Sequence, residues 1–342
     1  MISAPTTELE LENALSTPTE GVLETLRRHP GDIVVLGAGG KMGPSLSRML
    51  KRGLDAIGSP ARVIAVSRFS SPDLPSWLKQ HGVDTHAADL LDPAAVRDLP
   101  DAHNVIYMAG QKFGTQGAPS TTWAMNAIVP ALCAERYAGV PTVAFSTGNV
   151  YPLSPVDHGG PTEDGVVGPV GEYAMSCLAR ERVFEHFARS HGTRVALVRL
   201  NYAIDLRYGV LVDVARKIWN DEPVGLTMGY ANVIWQGDAN ARSIQCLDVA
   251  ASPASVINLT GAETISIRQC GVRLGQLLGK TPRFEGVEAT DALLSNAARS
   301  QALFGPPTVP LDTLLGWVAA WIRRGGRLLG KPTKFEARDG RF

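Results

Sequence analysis

Cysteine is scarce in this sequence. Four residues, at 133, 177, 246 and 270, stand far apart and never in Cys-x-x-Cys spacing. That excludes a disulfide framework and predicts isolated reduced thiols in a cytoplasmic protein. An excess of either charge is also missing, with 33 Lys+Arg against 33 Asp+Glu. No global field would recruit nucleic acid or an anionic membrane surface. Apolar runs are too short to span a bilayer, and Met1 to Asn13 carries glutamates rather than the basic start of a secretory signal. The seven histidines show no His-x-x-x-His or comparable spacing, so no metal site is expected.

What is present is a chain of 342 residues, long enough to bury a large core and to hold a main domain plus a smaller lobe. Its most informative stretch is Ile33-Val34-Val35-Leu36-Gly37-Ala38-Gly39-Gly40-Lys41-Met42-Gly43. A β-branched, apolar run of this kind suits a buried parallel strand, and the glycines suit a turn that approaches a ligand closely. Gly37, Gly40 and Gly43 have Gly-x-x-Gly-x-x-Gly spacing, while Gly37, Gly39 and Gly40 leave the register locally open. The helix predicted from Pro44 onward would offer its free N–H groups to a pyrophosphate. Strand, glycine turn and helix together point to dinucleotide binding.

Around this motif, strand-like and helix-like segments alternate. Strands are predicted at 33–36, 62–67, 83–86, 104–109, 141–146, 194–200 and 255–259. Helices are predicted at 18–28, 43–53, 75–81, 122–138, 172–191 and 311–323. The first rests on Thr17-Pro18-Thr19-Glu20, a capping-box pattern. The last places Leu311, Leu314, Leu315, Val318 and Ile322 on one stripe. Alternation of this kind implies βαβ units and a parallel sheet covered on both faces. Three regions follow: a helical extension over 1–30, a dinucleotide-binding domain over 31–200, and a mainly substrate-binding lobe over 201–342, some of which returns to the first domain. The polar tail from Lys331 contains Phe335 and Phe342, so folding back and disorder both stay open.

The order of motifs after the glycine turn resembles the extended short-chain dehydrogenase/reductase family, which includes sugar epimerases and dehydratases. Ala88-Asp89-Leu90-Leu91-Asp92 is similar to the family's Gly-Asp-Leu element. Val105-Ile106-Tyr107-Met108-Ala109-Gly110 is similar to the strand whose small residues let the backbone pass the cofactor. Asn126, Ser146-Thr147-Gly148-Asn149-Val150-Tyr151, Thr162-Glu163-Asp164 and Glu172-Tyr173-Ala174-Met175-Ser176 continue the order. The resemblance implies an α/β fold, a Rossmann-type doubly wound parallel sheet with a smaller C-terminal substrate lobe. It also implies hydride transfer with Tyr173 as acid/base, Thr147 as donor to the reacting oxygen and Asn126 holding a relay water. The cofactor would rest on Gly37, Gly39, Gly40, Lys41, Met42 and Gly43, with Asp89 at the adenine and Leu90, Ala109 and Gly110 alongside. Family members often pair through two long helices. A homodimer through 122–138 and 172–191 is therefore implied, with Cys133 or Cys177 near the contact.

One departure matters. Four residues after its tyrosine the family carries a lysine, which lowers the tyrosine pKa and holds the nicotinamide ribose. Here that position is Cys177, and a neutral thiol does neither well. Met108-Ala109-Gly110-Gln111-Lys112 resembles the loop of sugar 4-epimerases that sets a lysine beside cofactor and substrate, so Lys112 is either the replacement cation or a solvated loop residue. Arg180, seven residues beyond Tyr173, is expected to lie too far along the helix.

At the end of the second strand, where NAD enzymes usually carry an Asp, stand Ser67 and Arg68. With Lys41 they favour NADP, NAD being the alternative, unless Arg68 is merely a surface residue. Gly148-Asn149 offers no carboxylate for dehydration, and Gly229 to Asp238 contains no arginine for a sugar-nucleotide pyrophosphate. A free sugar, sugar acid or related polyol is the expected small-molecule substrate, with Asn149, Asn201, Asn232 and Trp235 as candidate contacts. The leading expectation is an NAD(P)-dependent oxidoreductase or epimerase. Cys177 keeps a second reading open, a dinucleotide-binding protein that no longer catalyses and serves a partner.

Overall fold

The apolar run that opens the glycine motif becomes the centre of a parallel sheet. In the computed structural model, which describes residues 3–112, 117–331 and 333–340, the sheet strands are β1 (Ile33–Leu36), β2 (Val63–Ser67), β3 (Asp84–Ala87), β4 (Asn104–Tyr107), β5 (Thr142–Thr147), β6 (Val195–Leu200) and β7 (Ser255–Leu259). Their order is β7-β6-β5-β4-β1-β2-β3, parallel throughout. Leu36 pairs with Val66 on one side and Tyr107 on the other, so the carboxyl ends of β1, β2 and β4 converge. That is where an open α/β sheet reverses its winding and binds ligands.

Alternating side chains of β1 feed two cores. Ile33 and Val35 pack with α2 (Glu20–Arg28) and α3 (Gly43–Ala56), including Leu26, Leu46 and Leu50. Val34 and Leu36 pack on the other face with Cys133, Phe184 and Leu197. Burying each such side chain contributes roughly 1.5–3 kcal/mol, which accounts for a central strand buried along its whole length.

Two helix starts differ from the sequence expectation. A helix absent from that reading, α1 (Glu8–Leu15), begins at Thr7, whose side chain accepts from the Glu10 N–H, and it buries Leu11 and Leu15. The next begins at Glu20 rather than 18 because the Thr19 hydroxyl caps the Val22 N–H. After α4 (Asp73–Gln80) and α5 (Pro93–Arg97), the helix expected over 122–138 is interrupted. It divides into α6 (Pro119–Trp123), a wide turn over Ala124–Ile128, and α7 (Val129–Arg136). Pro130 has no N–H for the Asn126 carbonyl, and the widened turn, where the Val129 N–H reaches back to Ala124, absorbs that loss.

The long helix α8 (Gly171–His191) precedes β6. Beyond it, α9 (Val210–Trp219), α11 (Ile267–Leu278) and α13 (Leu311–Arg323) enclose a second core with Leu11 and Leu15. Leu314, Leu315, Val318 and Ile322 of the expected stripe are buried there, and Leu311 is half-buried. The residues after 201 do not all stay in that second half. α10 (Gln236–Gln245) packs on the sheet through Ala239 and Ile244, and β7 pairs with β6. A further helix, α12 (Ala298–Phe304), lies against β7. Phe335 is buried in the second core, so the tail folds back; Phe342 lies outside the described residues.

A buried ionic network ties the sheet end together. Arg199 on β6 donates to both carboxylate oxygens of Glu181 on α8, at 3.0 and 2.7 Å, and to the Tyr151 hydroxyl at 2.7 Å. Glu181 also accepts from Ser146, and the Tyr151 hydroxyl donates to Asn258 on β7. A charge left alone in this place would cost about 3–5 kcal/mol, so the closure of every bond matters. All four cysteines are free and buried. Among the described residues no helix is long and apolar enough to cross a membrane, and no three His, Cys, Asp or Glu side chains gather as a metal site.

Candidate active site

The turn after β1 is shaped by what its glycines lack. Gly37 has φ +86°, and a Cβ there would lie 2.5 Å from the Ala109 backbone nitrogen. A Cβ on Gly43 would lie 2.3 Å from the Ala38 carbonyl oxygen, so the first turn of α3 can sit against the strand end only without a side chain. Gly39 lies against the Ser67 hydroxyl, whereas Gly40 has ordinary room. No side chain caps the N-terminus of α3, and Pro44 occupies its first turn. Gly39, Gly40, Lys41 and Pro44 border a cleft of about 590 Å³, together with Lys112 and Tyr208.

A smaller chamber of about 180 Å³ adjoins it, bordered by Lys112, Thr147, Asn149, Tyr173, Asn201 and Thr333. Tyr173 also borders the passage from this chamber to Gly37, Gly43 and Gly110. The parallel register delivers Thr147 at the end of β5, and the first turn of α8 delivers Tyr173. The Tyr173 side chain lies beside Thr147 and Cys177, and the Thr147 hydroxyl donates to Asn149 Oδ1 at 3.0 Å. Thr147 in turn accepts from the Asn149 N–H at 3.2 Å.

Electrostatics explain the departure at 177. Burial raises the Cys177 thiol above its usual value, so it stays neutral and supplies no charge to Tyr173. Burial, with Cys177 adding to it, also pushes the Tyr173 phenol well up, and the Arg180 guanidinium opposes the rise. Arg180 is more closely engaged than its spacing suggested. It donates to the Phe145 carbonyl at 2.9 Å and to Asn126 Oδ1 at 2.6 Å, beneath the passage that Tyr173 borders. The Lys112 ammonium lies 5.8 Å from the centre of the Tyr173 ring, and burial lowers it to about 8.

Asn126 sits within the widened turn, and its amide is saturated. Oδ1 accepts from Gln111 N and Arg180, and Nδ2 donates to Gln111 O and Ser176. Two acceptor and two donor positions are thereby filled, leaving the side chain none for a water. It clamps the loop before Lys112 instead.

A model of the NAD dependent epimerase/dehydratase family matches residues 33–204. The chain belongs to that family. Among curated proteins no relative matches the sequence. Solved structures with the same fold include the UDP-glucose 4-epimerase of Thermotoga maritima with UDP-glucose, 18% identical with a TM-score of 0.70, covering 86% of this chain and 99% of that one. The UDP-glucuronic acid 4-epimerase of Bacillus cereus in complex with NAD is 17% identical, with a TM-score of 0.69 and coverage of 86% and 99%. A short-chain dehydrogenase/reductase superfamily protein of Agrobacterium tumefaciens with bound NAD is 17% identical, with a TM-score of 0.71 and coverage of 86% and 97%.

Within this family member the structure gathers only part of the expected set. Asn149 and Asn201 border the chamber, and Asn201 donates to Ser295 at 2.9 Å. Asn232 and Trp235 do not reach it. Asn232 is buried, bonded to Glu263 O and Ser295 N, while Trp235 packs edge-on against Trp317 and borders a separate cavity of about 250 Å³. Lys41 turns from the β2 end to the Ala203 carbonyl at 2.6 Å, its ammonium 4.6 Å from the Tyr208 ring centre and lowered to about 8 by burial. Met42 and Leu90 are buried in the cores on either face of the sheet, Asp89 accepts from the Leu91 N–H in a local turn, and Arg68 is exposed. Missed by sequence reasoning were Thr333, too distant in the chain, and the reach of Arg180. An arginine two turns after the tyrosine was the only available signal for the latter.

Proposed function

We propose that the chain binds a nicotinamide dinucleotide along the glycine turn and transfers hydride to or from a secondary alcohol of a sugar, sugar acid or related polyol. The observation that carries this reading is the placing of Tyr173 and Thr147 together on the small chamber, with Tyr173 also bordering the glycine passage. Gly37 and Gly43 fit such a cofactor, because without side chains the turn packs against Ala109 and Ala38 and sets the N-terminus of α3 at the cleft. When bound, the dinucleotide supplies the hydride acceptor or donor. Tyr173 exchanges the proton of the reacting hydroxyl, and Thr147 donates to the same oxygen. Lys112 and Arg180 provide the positive charge that a lysine at position 177 would bring. Gly148 and Asn149 stand where a dehydratase would place its carboxylates, which favours oxidation or epimerisation over loss of water.

Discrimination between the two dinucleotides falls to Ser67 and Arg68, since Lys41 is engaged at Ala203. An exposed guanidinium and no carboxylate at the β2 end favour NADP. Fluorescence titration with NADPH and NADH tests both points. Arg68→Ala should weaken NADPH by about tenfold and leave NADH unchanged. Equal affinities unaffected by the substitution would remove the NADP preference, and no binding of either would remove the whole reading. Release of reduced cofactor after one turnover marks a dehydrogenase, and its retention marks an epimerase.

The family's pairing helices offer a face for a homodimer. Cys133 and Cys177 are buried within the chain, whereas Ile128 and Met175 stay exposed on the α6–α7 segment and on α8. Sedimentation at twice the monomer mass is the expected result, and a monomer at micromolar concentration would reject it.

A further inference from the structure

Beyond α13 the chain runs back across the molecule. The Leu329 N–H donates to the Arg207 carbonyl at 3.0 Å, and Leu329 and Lys331 border the large cleft. Thr333 comes next, its N–H and hydroxyl both donating to Asp213 on α9, at 2.9 and 2.6 Å, while it borders the chamber. Phe335 is sunk in the second core and Glu336 accepts from Lys217 at 2.7 Å. Arg338 pairs with the Asp291 carboxylate and donates to the carbonyls of Asp291 and Thr227, at 3.1 and 3.2 Å. Gly340 then meets the start of α8 so closely that a Cβ on Gly171 would lie 2.5 Å from the Gly340 oxygen. That contact is two residues from Tyr173. Ala337, Arg338 and Gly340 border a recess of about 30 Å³ shared with Asn149 and Tyr151.

One segment thus borders the cleft, the chamber and the recess in succession, and it is fastened at each. We propose that residues 327–331 and 333–340 form a fixed wall that limits the substrate to a single sugar ring and excludes nucleotide-linked sugars. The proposal rests on the chamber at Tyr173 being the substrate site. Sites for drug-sized ligands run to about 300–1,000 Å³; this chamber offers about 180 Å³ and opens on the glycine side into the passage and cleft that a dinucleotide would occupy. Beside Asn149 and Tyr151, the space left is the recess of about 30 Å³ that Ala337, Arg338 and Gly340 of the wall border. Exclusion here is a matter of occupied space rather than missing affinity, so loosening the wall should admit larger molecules.

A thiol placed between chamber and recess reads this without knowledge of the substrate. Asn149→Cys borders both spaces, and the native cysteines are buried, with wild type giving the background. Its labelling would be followed with methyl methanethiosulfonate and with fluorescein maleimide, a reagent nearer the bulk of a nucleotide sugar. Adding Thr333→Ala and Arg338→Ala should raise the rate with the bulky reagent by at least about tenfold relative to the small one. An unchanged relative rate would overturn the wall. If circular dichroism shows the triple variant unfolded, Asn149→Cys with Arg338→Ala alone carries the same comparison. Titration of the same proteins with NADPH and NADH tests the cofactor reading separately: binding of neither would count against that reading and leave the labelling result intact.

Discussion

Tyr173→Phe is expected to lower kcat by about 10²–10⁴-fold while the dissociation constant for NADH stays within about twofold of wild type. The ring of Tyr173 packs beside Val150, Tyr151 and Cys177, and phenylalanine keeps that packing. What the substitution removes is one hydroxyl, beside Thr147 and Cys177. If that group exchanges the substrate proton, the loss appears in turnover and not in cofactor binding. Steady-state kinetics beside a fluorescence titration separates the two. Undiminished turnover in the variant would reject the acid/base role. A wild-type protein that binds NADH but turns over no sugar, sugar acid or polyol would favour the other reading that Cys177 raised, dinucleotide binding without catalysis.

The second large effect concerns the displaced cation. Burial lowers Lys112 to about 8, so its ammonium is charged below that pH and loses its proton as pH rises through it. A nearby positive charge favours the ionised form of a neighbouring acid, and the Lys112 ammonium lies 5.8 Å from the Tyr173 ring centre. Wild-type kcat/KM should therefore fall on the alkaline side with a midpoint near 8. Lys112→Arg, whose guanidinium stays charged over the whole working pH range, should move that limb upward. Lys112→Ala should cost at least about tenfold at pH 7, since one unit of pKa corresponds to a factor of ten. Superimposable profiles for wild type and Lys112→Arg would show that Arg180 alone supplies the charge.

The central sheet was legible because its strands are short, apolar and separated by helical segments; each forms within two residues of the expected bounds. Its edge was less so. The periodicity of 255–259 identifies a strand but says nothing of its partner, and only the fold sets β7 beside β6. The wide turn at Ala124–Ile128 follows from Pro130, a signal present in the sequence but read through as continuous helix. Site residues were legible where local motifs place them on strand ends, as for Thr147 and Asn149. Asn232 and Trp235 show the limit, because a short motif does not tell which cavity its side chains face. Arg180 was discounted from helical spacing alone, which ignores how far a long side chain reaches back along its own helix.

The return of β7 and α10 to the sheet bears on how such a molecule could be divided. A break after residue 200 would leave β6 with a bare edge and uncover the apolar side chains now beneath Ala239 and Ile244. The two halves are therefore not modules for recombination. Each is finished by chain belonging to the other. Change in either half must be accommodated within the intact whole, where each segment also closes a surface of the other half.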